Sequence, residues 1–233
     1  MKANIFILLS GVLFALAFIF SCTTYVDIDN GGSSSSTGGS SSSLDGSNSS
    51  SYKTVQIGEQ IWMAENLNYD VTGSKCYDNL ESNCYIYGRL YDWTTAMALP
   101  SICNSISCAN QIQSPHRGIC PEGWHIPSDG EWTELTGFLG VASSAGSKLK
   151  TTSGWDAHAT YGNGTDDYGF SALPGGFSEN ENFSDLGGRG NWWCATEYST
   201  DIAYYRDMVN FTGDVYRGIY YKDVLHSVRC VKN

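Results

Sequence analysis

The chain has 233 residues and a formal net charge of −11, from 13 basic and 24 acidic side chains. That length allows one domain of ordinary size with a sizeable core, and the acidic balance excludes nucleic acid as a partner, because phosphate binding needs clustered Lys and Arg. Aromatic residues make up 13%, with 26 Gly against 5 Pro, a mix that suits a loop-rich β-containing exported domain better than a helical bundle.

Residues 1 to 22 read as a targeting segment. Lys2 is its only positive charge, Ile5 to Phe20 are almost all apolar, and Ser21-Cys22 closes the run. Ile19-Phe20-Ser21-Cys22 resembles a bacterial lipobox. The expectation is a lipoprotein of the cell envelope, in the outer membrane and exposed at the surface, anchored through lipid on the sulfur of Cys22. Residues 23 to 51 begin with Asp27 and Asp29 and continue as a Gly/Ser tract from Gly31. Such a tract buries no apolar surface and is expected to be a disordered tether. Its root-mean-square span would be roughly 30 Å.

The folded domain is expected over residues 52 to 233. Val55 to Met63 alternates on either side of Gly58 and predicts a β-hairpin. Leu90, Trp93, Thr94 and Met97 predict a helix over Tyr91 to Ala98, ended by Pro100. Cys120 to Leu135 is the densest stretch, with a cysteine, two tryptophans and two prolines. Within it, Ser128 and Glu131 form a capping box, and Asp129 and Glu131 place negative charge at a helix N-terminus. Trp132, Leu135, Phe138 and Leu139 recur at helical spacing, and Gly137 and Gly140 predict a short helix. A small polar helix is expected over Ala142 to Lys150, then a loop from Thr151 to Asp167. Phe170 to Leu173 reads as a strand before the Pro174-Gly175-Gly176 turn. Phe177 to Asn191 reads as a long polar loop. Trp192 to Glu197, Ala203 to Phe211, Val215 to Tyr221 and His226 to Val231 read as strands. Late antiparallel strands behind two early helices make an α+β arrangement.

Cys120 to Leu135 also carries a resemblance, and so do Val55 to Tyr69, Tyr87 to Met97, Gly169 to Gly176, Trp192 to Glu197 and Ser227 to Lys232. Together they resemble the Fibrobacter succinogenes major paralogous domain family, found on bacterial surface proteins, over about Tyr52 to Asn233. That family is similar to the C-type-lectin-like fold, which also underlies formylglycine-generating enzymes. The resemblance implies two short helices, an antiparallel sheet and a loop-rich domain stapled by disulfides. It implies no settled activity.

Without Cys22, seven of the eight cysteines remain. Export favours disulfides. Cys76 with Cys84, and Cys103 with Cys108, read as local clips. Lectin-like folds tie a first-half segment to the final strand, which implies Cys120 with Cys230. A loop of that length would contribute about 4–5 kcal/mol in the chain-entropy model. Cys194, between bulky apolar neighbours, is left as a buried free thiol.

Little here points to catalysis. No CxxC pair occurs and the four histidines are scattered, so structural zinc is not expected. No GxSxG, HExxH or phosphate-cradling loop appears. A thiol-dependent enzyme of the formylglycine-generating type would need a pair of reactive cysteines close together, whereas Cys194 and Cys230 are far apart. The Glu-Pro-Asn and Trp-Asn-Asp triplets of calcium-dependent lectins are absent. Asn163 to Asp167 offers oxygen ligands, so structural calcium is a possibility, though Asx turns explain the same residues.

The expectation is therefore a non-catalytic domain that recognises carbohydrate or a surface protein. A purely structural envelope protein is the remaining alternative. Adhesion to plant polymer rests on the family name and its host habitat, by analogy. In lectin-like folds the late loops form the binding face. A shallow site is expected from Trp155, Asp166, Asp167, Glu179, Asn180 and Trp192. Tyr204, Tyr205, Tyr216, Tyr220 and Tyr221 crowd the last strands. One of each Tyr-Tyr pair is expected in the core and the other exposed.

Overall fold

The structure is a computed structural model that describes residues 52–140 and 142–233. The targeting segment, the Cys22 anchor and the tether lie outside the described residues. The chain opens with the hairpin β1 (Thr54–Ile57) and β2 (Gln60–Met63), turned at Gly58, whose φ of +60° suits a residue without Cβ. Helix α1 (Glu81–Tyr87), strand β3 (Leu90–Tyr91) and helix α2 (Trp93–Met97) follow. Strand β4 (Trp124–His125) leads into α3 (Asp129–Phe138) and α4 (Ala142–Leu149). The second half is β5 (Gly175–Glu179), β6 (Asn182–Leu186), β7 (Arg189–Glu197), β8 (Ile202–Val209), β9 (Tyr216–Tyr221), β10 (His226–Ser227) and β11 (Val231–Lys232).

Two sheets result. The smaller runs β1-β2-β11-β4, so the end of the chain closes the sheet that its first strands began. The larger runs β3-β10-β7-β5-β6, with β8 on β7 and β9 on β8. The fold is α+β, with corrections to the expected detail. The larger sheet is mixed, because β5 and β10 both pair with β7 in parallel. Among the described residues there are four α-helices rather than two. The strand expected over His226 to Val231 divides, β10 joining one sheet and β11 the other. Phe170 to Leu173 contributes only a single bridge, Lys150 to Ala172.

The segment expected as a polar loop, Phe177 to Asn191, is instead a β-hairpin and the start of β7. Glu179 pairs with Asn182 across Asn180 and Glu181, both at positive φ. Two left-handed residues give the twist that a two-residue hairpin needs, and Asn tolerates that conformation. Local codes hold elsewhere. Ser128 and Glu131 exchange both capping-box bonds at α3. Asp92 caps α2 by accepting from the Thr95 N–H at 2.6 Å. That helix stops at Ala98, which turns left-handed before Pro100 is reached.

The larger sheet separates two apolar clusters. Trp192 and Cys194 face one, with Trp62, Trp132, Leu135, Leu149 and Phe170. Trp193 and Ala195 face the other, with Met63, Tyr91, Trp93, Met97 and Val228. This is strand alternation read directly from consecutive residues. Disulfides join Cys76–Cys84, Cys103–Cys108 and Cys120–Cys230, and Cys194 is free and buried. A buried polar hub ties the halves together. Arg229 donates to Asn66 Oδ1 from Nε at 3.1 Å and Nη2 at 2.7 Å, and to the carbonyls of Phe170 and Ser171. Its guanidinium also lies 4.2 Å from the Phe170 ring centre.

Candidate functional site

The six residues expected to form one binding site are dispersed. Trp192 is fully buried, its Nε1 donating to Asn66 Oδ1 at 2.8 Å and its ring 6.1 Å from Trp132. It is a core residue, because α3 covers the face of β7 it points to. Trp155 is also core. It is buried, with Nε1 donating to the Ala172 carbonyl at 3.0 Å and the Lys150 ammonium 5.0 Å from its ring centre. Asp166 spends its carboxylate inside its own turn, accepting from Ser171 N and Oγ at 2.8 Å each. Asp167 is exposed, and its N–H donates to the Lys148 carbonyl. Only Glu179 and Asn180 come together. They share a cavity of about 290 Å³ with Tyr221, Asp223 and Val224, and Glu179 accepts from the Tyr220 hydroxyl at 3.2 Å.

A much larger cleft, about 920 Å³, opens where α3 begins. Its walls include His116, His125, Glu131, Glu197, Lys232 and Asn233. Pairing with β11 places His125, and the capping box places Glu131. His125 Nε2 lies 2.7 Å from Glu131 Oε1, and its Nδ1 lies 2.7 Å from Asn233 Oδ1. Burial alone would lower the pKa of this imidazole. The bonds to Glu131 and Asn233 outweigh burial and raise it. Burial would likewise raise Glu131, but bonds from His125 and Ser128 hold its carboxyl below the usual range. Each partner therefore favours the charged form of the other.

The other ionisable walls are also engaged. His116 Nδ1 accepts from the Gln113 N–H at 3.0 Å and Nε2 meets the Met97 carbonyl at 2.8 Å, so both ring nitrogens are engaged. Glu197 accepts from the Cys108 N–H at 3.1 Å and sits 3.6 Å from Lys222 Nζ. Lys222 is itself buried, donating to the carbonyls of Cys103 and Thr200 over the Trp93 ring. Lys232 alone is exposed and forms no ion pair among the described residues. Sequence reasoning took Glu131 only as a helix cap. The position of His125 in β4 was the missing half, and only the sheet register supplies it.

Burial pushes the Cys194 thiol up to about 12, and Arg206 Nη1 lies 3.8 Å from its sulfur. Cys230 is consumed in a disulfide. No reactive pair exists between them. Among the described residues, no three or more His, Cys, Asp or Glu side chains gather as a metal site, and no helix is long and apolar enough to cross a membrane.

Fold and cleft together define a disulfide-stapled α+β domain with two sheets and a wide polar-rimmed cleft. Residues 55–232 match the sequence model of the Fibrobacter succinogenes major domain, and the chain belongs to that family. No curated protein and no solved structure matches the chain.

Proposed function

We propose that this protein is a non-catalytic recognition module of the bacterial cell surface, lectin-like in arrangement. It is tethered to the outer membrane through lipid on Cys22 and binds carbohydrate or a surface protein. The observation that carries this reading is the state of the large cleft. Each imidazole and side-chain carboxylate lining it has its polar atoms engaged by other protein groups. A general base or acid must reach the proton it moves, and a group already bonded on both sides must first break a bond to do so. Such a cleft can bind with its hydroxyl, amide and apolar walls, which is the chemistry of recognition. The Cys120–Cys230 bridge to the final strand and the late antiparallel strands support the lectin-like arrangement.

Arrays of glycans, cell-wall polymers and peptides, probed with the full chain, test the reading. Saturable binding without turnover is expected. Turnover of a bound ligand, lost in Glu131→Gln, would overturn it. For the anchor, Cys22→Ser should move the protein out of the membrane fraction, and unchanged fractionation would sink the lipoprotein assignment.

A further inference from the structure

The outer end of the large sheet carries a cluster of exposed tyrosines and an isoleucine. Among the described residues strand β9 pairs only with β8, which leaves its outer edge without a partner strand there. Register places Ile202 opposite Tyr221 and Tyr204 opposite Ile219, so these four side chains share one face. Tyr198 joins them with its ring 5.4 Å from that of Tyr204. Tyr198 is 55% exposed, Tyr221 54% and Ile219 42%. Apolar surface of this kind, contiguous on a sheet face, marks a place where something binds.

We infer that this face is a binding platform for a neutral pyranose polymer, with Tyr221 and Tyr198 as its stacking rings. The inference rests on the recognition reading and names its ligand class. Three observations select that occupant. First, the exposed rings are tyrosines, which offer a π-face to the C–H groups of a sugar ring and a hydroxyl to its oxygens. Second, Tyr221 also borders the small cavity formed with Glu179, Asn180 and Asp223. Carboxylates and amides beside a ring are the partners that sugar hydroxyls need, since each can meet two hydroxyls in one plane.

Third, charge excludes the acidic alternatives. The exposed cation of the face, Arg217, is tied down, because its Nε and Nη2 hold Asp129 at 2.8 and 2.9 Å while its guanidinium lies 4.2 Å from the Tyr204 ring. Asp129 is shared with the buried Arg206, so the two guanidiniums exceed it by one charge, which Glu179 and Asp223 outweigh, and the whole chain carries −11. An anionic polymer would be repelled. A neutral one would not.

Affinity electrophoresis of the full chain through gels containing hydroxyethyl cellulose, xylan, pullulan or carboxymethyl cellulose tests this. At least one neutral polymer should retard the protein, and carboxymethyl cellulose should retard it less than hydroxyethyl cellulose does. Tyr221→Ala should weaken the retardation at least tenfold, and Tyr198→Ala together with Tyr221→Ala should abolish it. Tyr85→Ala, at an exposed tyrosine of α1 outside the face, should change nothing. Unfolding midpoints of all variants separate lost binding from lost fold. Retardation that survives the double substitution would overturn the platform and leave recognition by the cleft standing. Absence of retardation by every neutral polymer would also overturn the platform, and positive spots on the peptide array would then keep the broader reading.

Discussion

Trp192 and Tyr221 project from the same face of one sheet, yet Trp192 is 0% exposed and Tyr221 is 54% exposed. The difference lies in what covers each end. Over Trp192, Cys194 and Arg206 lies the start of α3, clamped there by Asp129. That carboxylate accepts from Arg206 Nη1 at 2.7 Å, and Arg206 Nη2 donates to the Asp129 carbonyl and to Thr133 Oγ1. Burial would raise the Asp129 carboxyl, but Arg217 and Arg206 pull it below its ordinary range. Beyond Arg217 nothing among the described residues covers the sheet, and Ile219 and Tyr221 stand open. An aromatic side chain in a strand is thus made core or surface by the element that lands on it. Composition fixes what a position can do, and tertiary cover fixes which of those things it does.

The largest effect is expected at the covered end. Trp192→Ala should remove a filled site between Trp132 and Phe170 and strand Asn66 Oδ1 with one donor fewer. A loss of about 3–5 kcal/mol is expected, enough to unfold the domain or lower its midpoint steeply in thermal scans. A midpoint within a few degrees of the parent would mean that the covered end is not the core described here.

A smaller effect should appear on the opposite face, at His226. Its ring is fully buried among Trp193 at 4.4 Å, Tyr205 at 5.1 Å, Tyr220 at 5.9 Å and Phe177 at 6.1 Å. Burial pushes its pKa down to about 3, and Arg189 lowers it further. As pH falls below its ordinary value the unfolded chain takes up a proton that the folded chain refuses. Stability is therefore lost between about pH 6.5 and about 3. Nearby Asp207, raised to about 6 by burial, acts in the opposite sense between that value and the ordinary carboxylate range, because the folded form keeps a proton the unfolded form loses. Comparing His226→Phe with the parent isolates the histidine. The variant should lose about 2 kcal/mol less on going from pH 7 to pH 5, at about 1.4 kcal/mol per pH unit. Parallel stability–pH curves from urea titrations would refute the buried neutral imidazole.

Much of this contrast was invisible in the sequence, for identifiable reasons. Ser128 and Glu131 were legible because a capping box is written within four residues. The local cysteine clips were legible from spacing, and Cys120 with Cys230 came through resemblance. Helix α1 was missed because Glu81 to Tyr87 has no apolar period and leaves Tyr85 and Ile86 exposed. The β5–β6 hairpin was missed because its residues are polar and its turn uses Asn180 and Glu181 in place of glycine. Trp155 and Trp192 were misplaced because neither periodicity nor propensity says which loop or helix packs over a ring. Glu179 and Asn180 were expected on a long loop; they lie instead on a tight hairpin, and the tyrosine that donates to Glu179 is Tyr220.

The smallest effect is expected at the open end. Tyr221→Ala should change stability by no more than about 0.5 kcal/mol, the range for surface positions. For a domain of this size that is a shift of about 1–2 °C. Tyr204→Ala should cost more. Its ring is partly buried against the first apolar cluster, with Arg217 over one side and Tyr198 meeting its edge. A loss of about 1–2 kcal/mol fits a half-buried ring with one aromatic pair and one cation contact. Tyr204 is then the hinge of the gradient, supporting the platform from below while Tyr221 stays free to bind. Equal losses at Tyr204 and Tyr221 would mean that β9 is a structural edge and that its exposed rings serve the fold. A loss at Tyr204 with none at Tyr221 would leave the outer ring free of any folding duty, and its exposure would then call for a ligand.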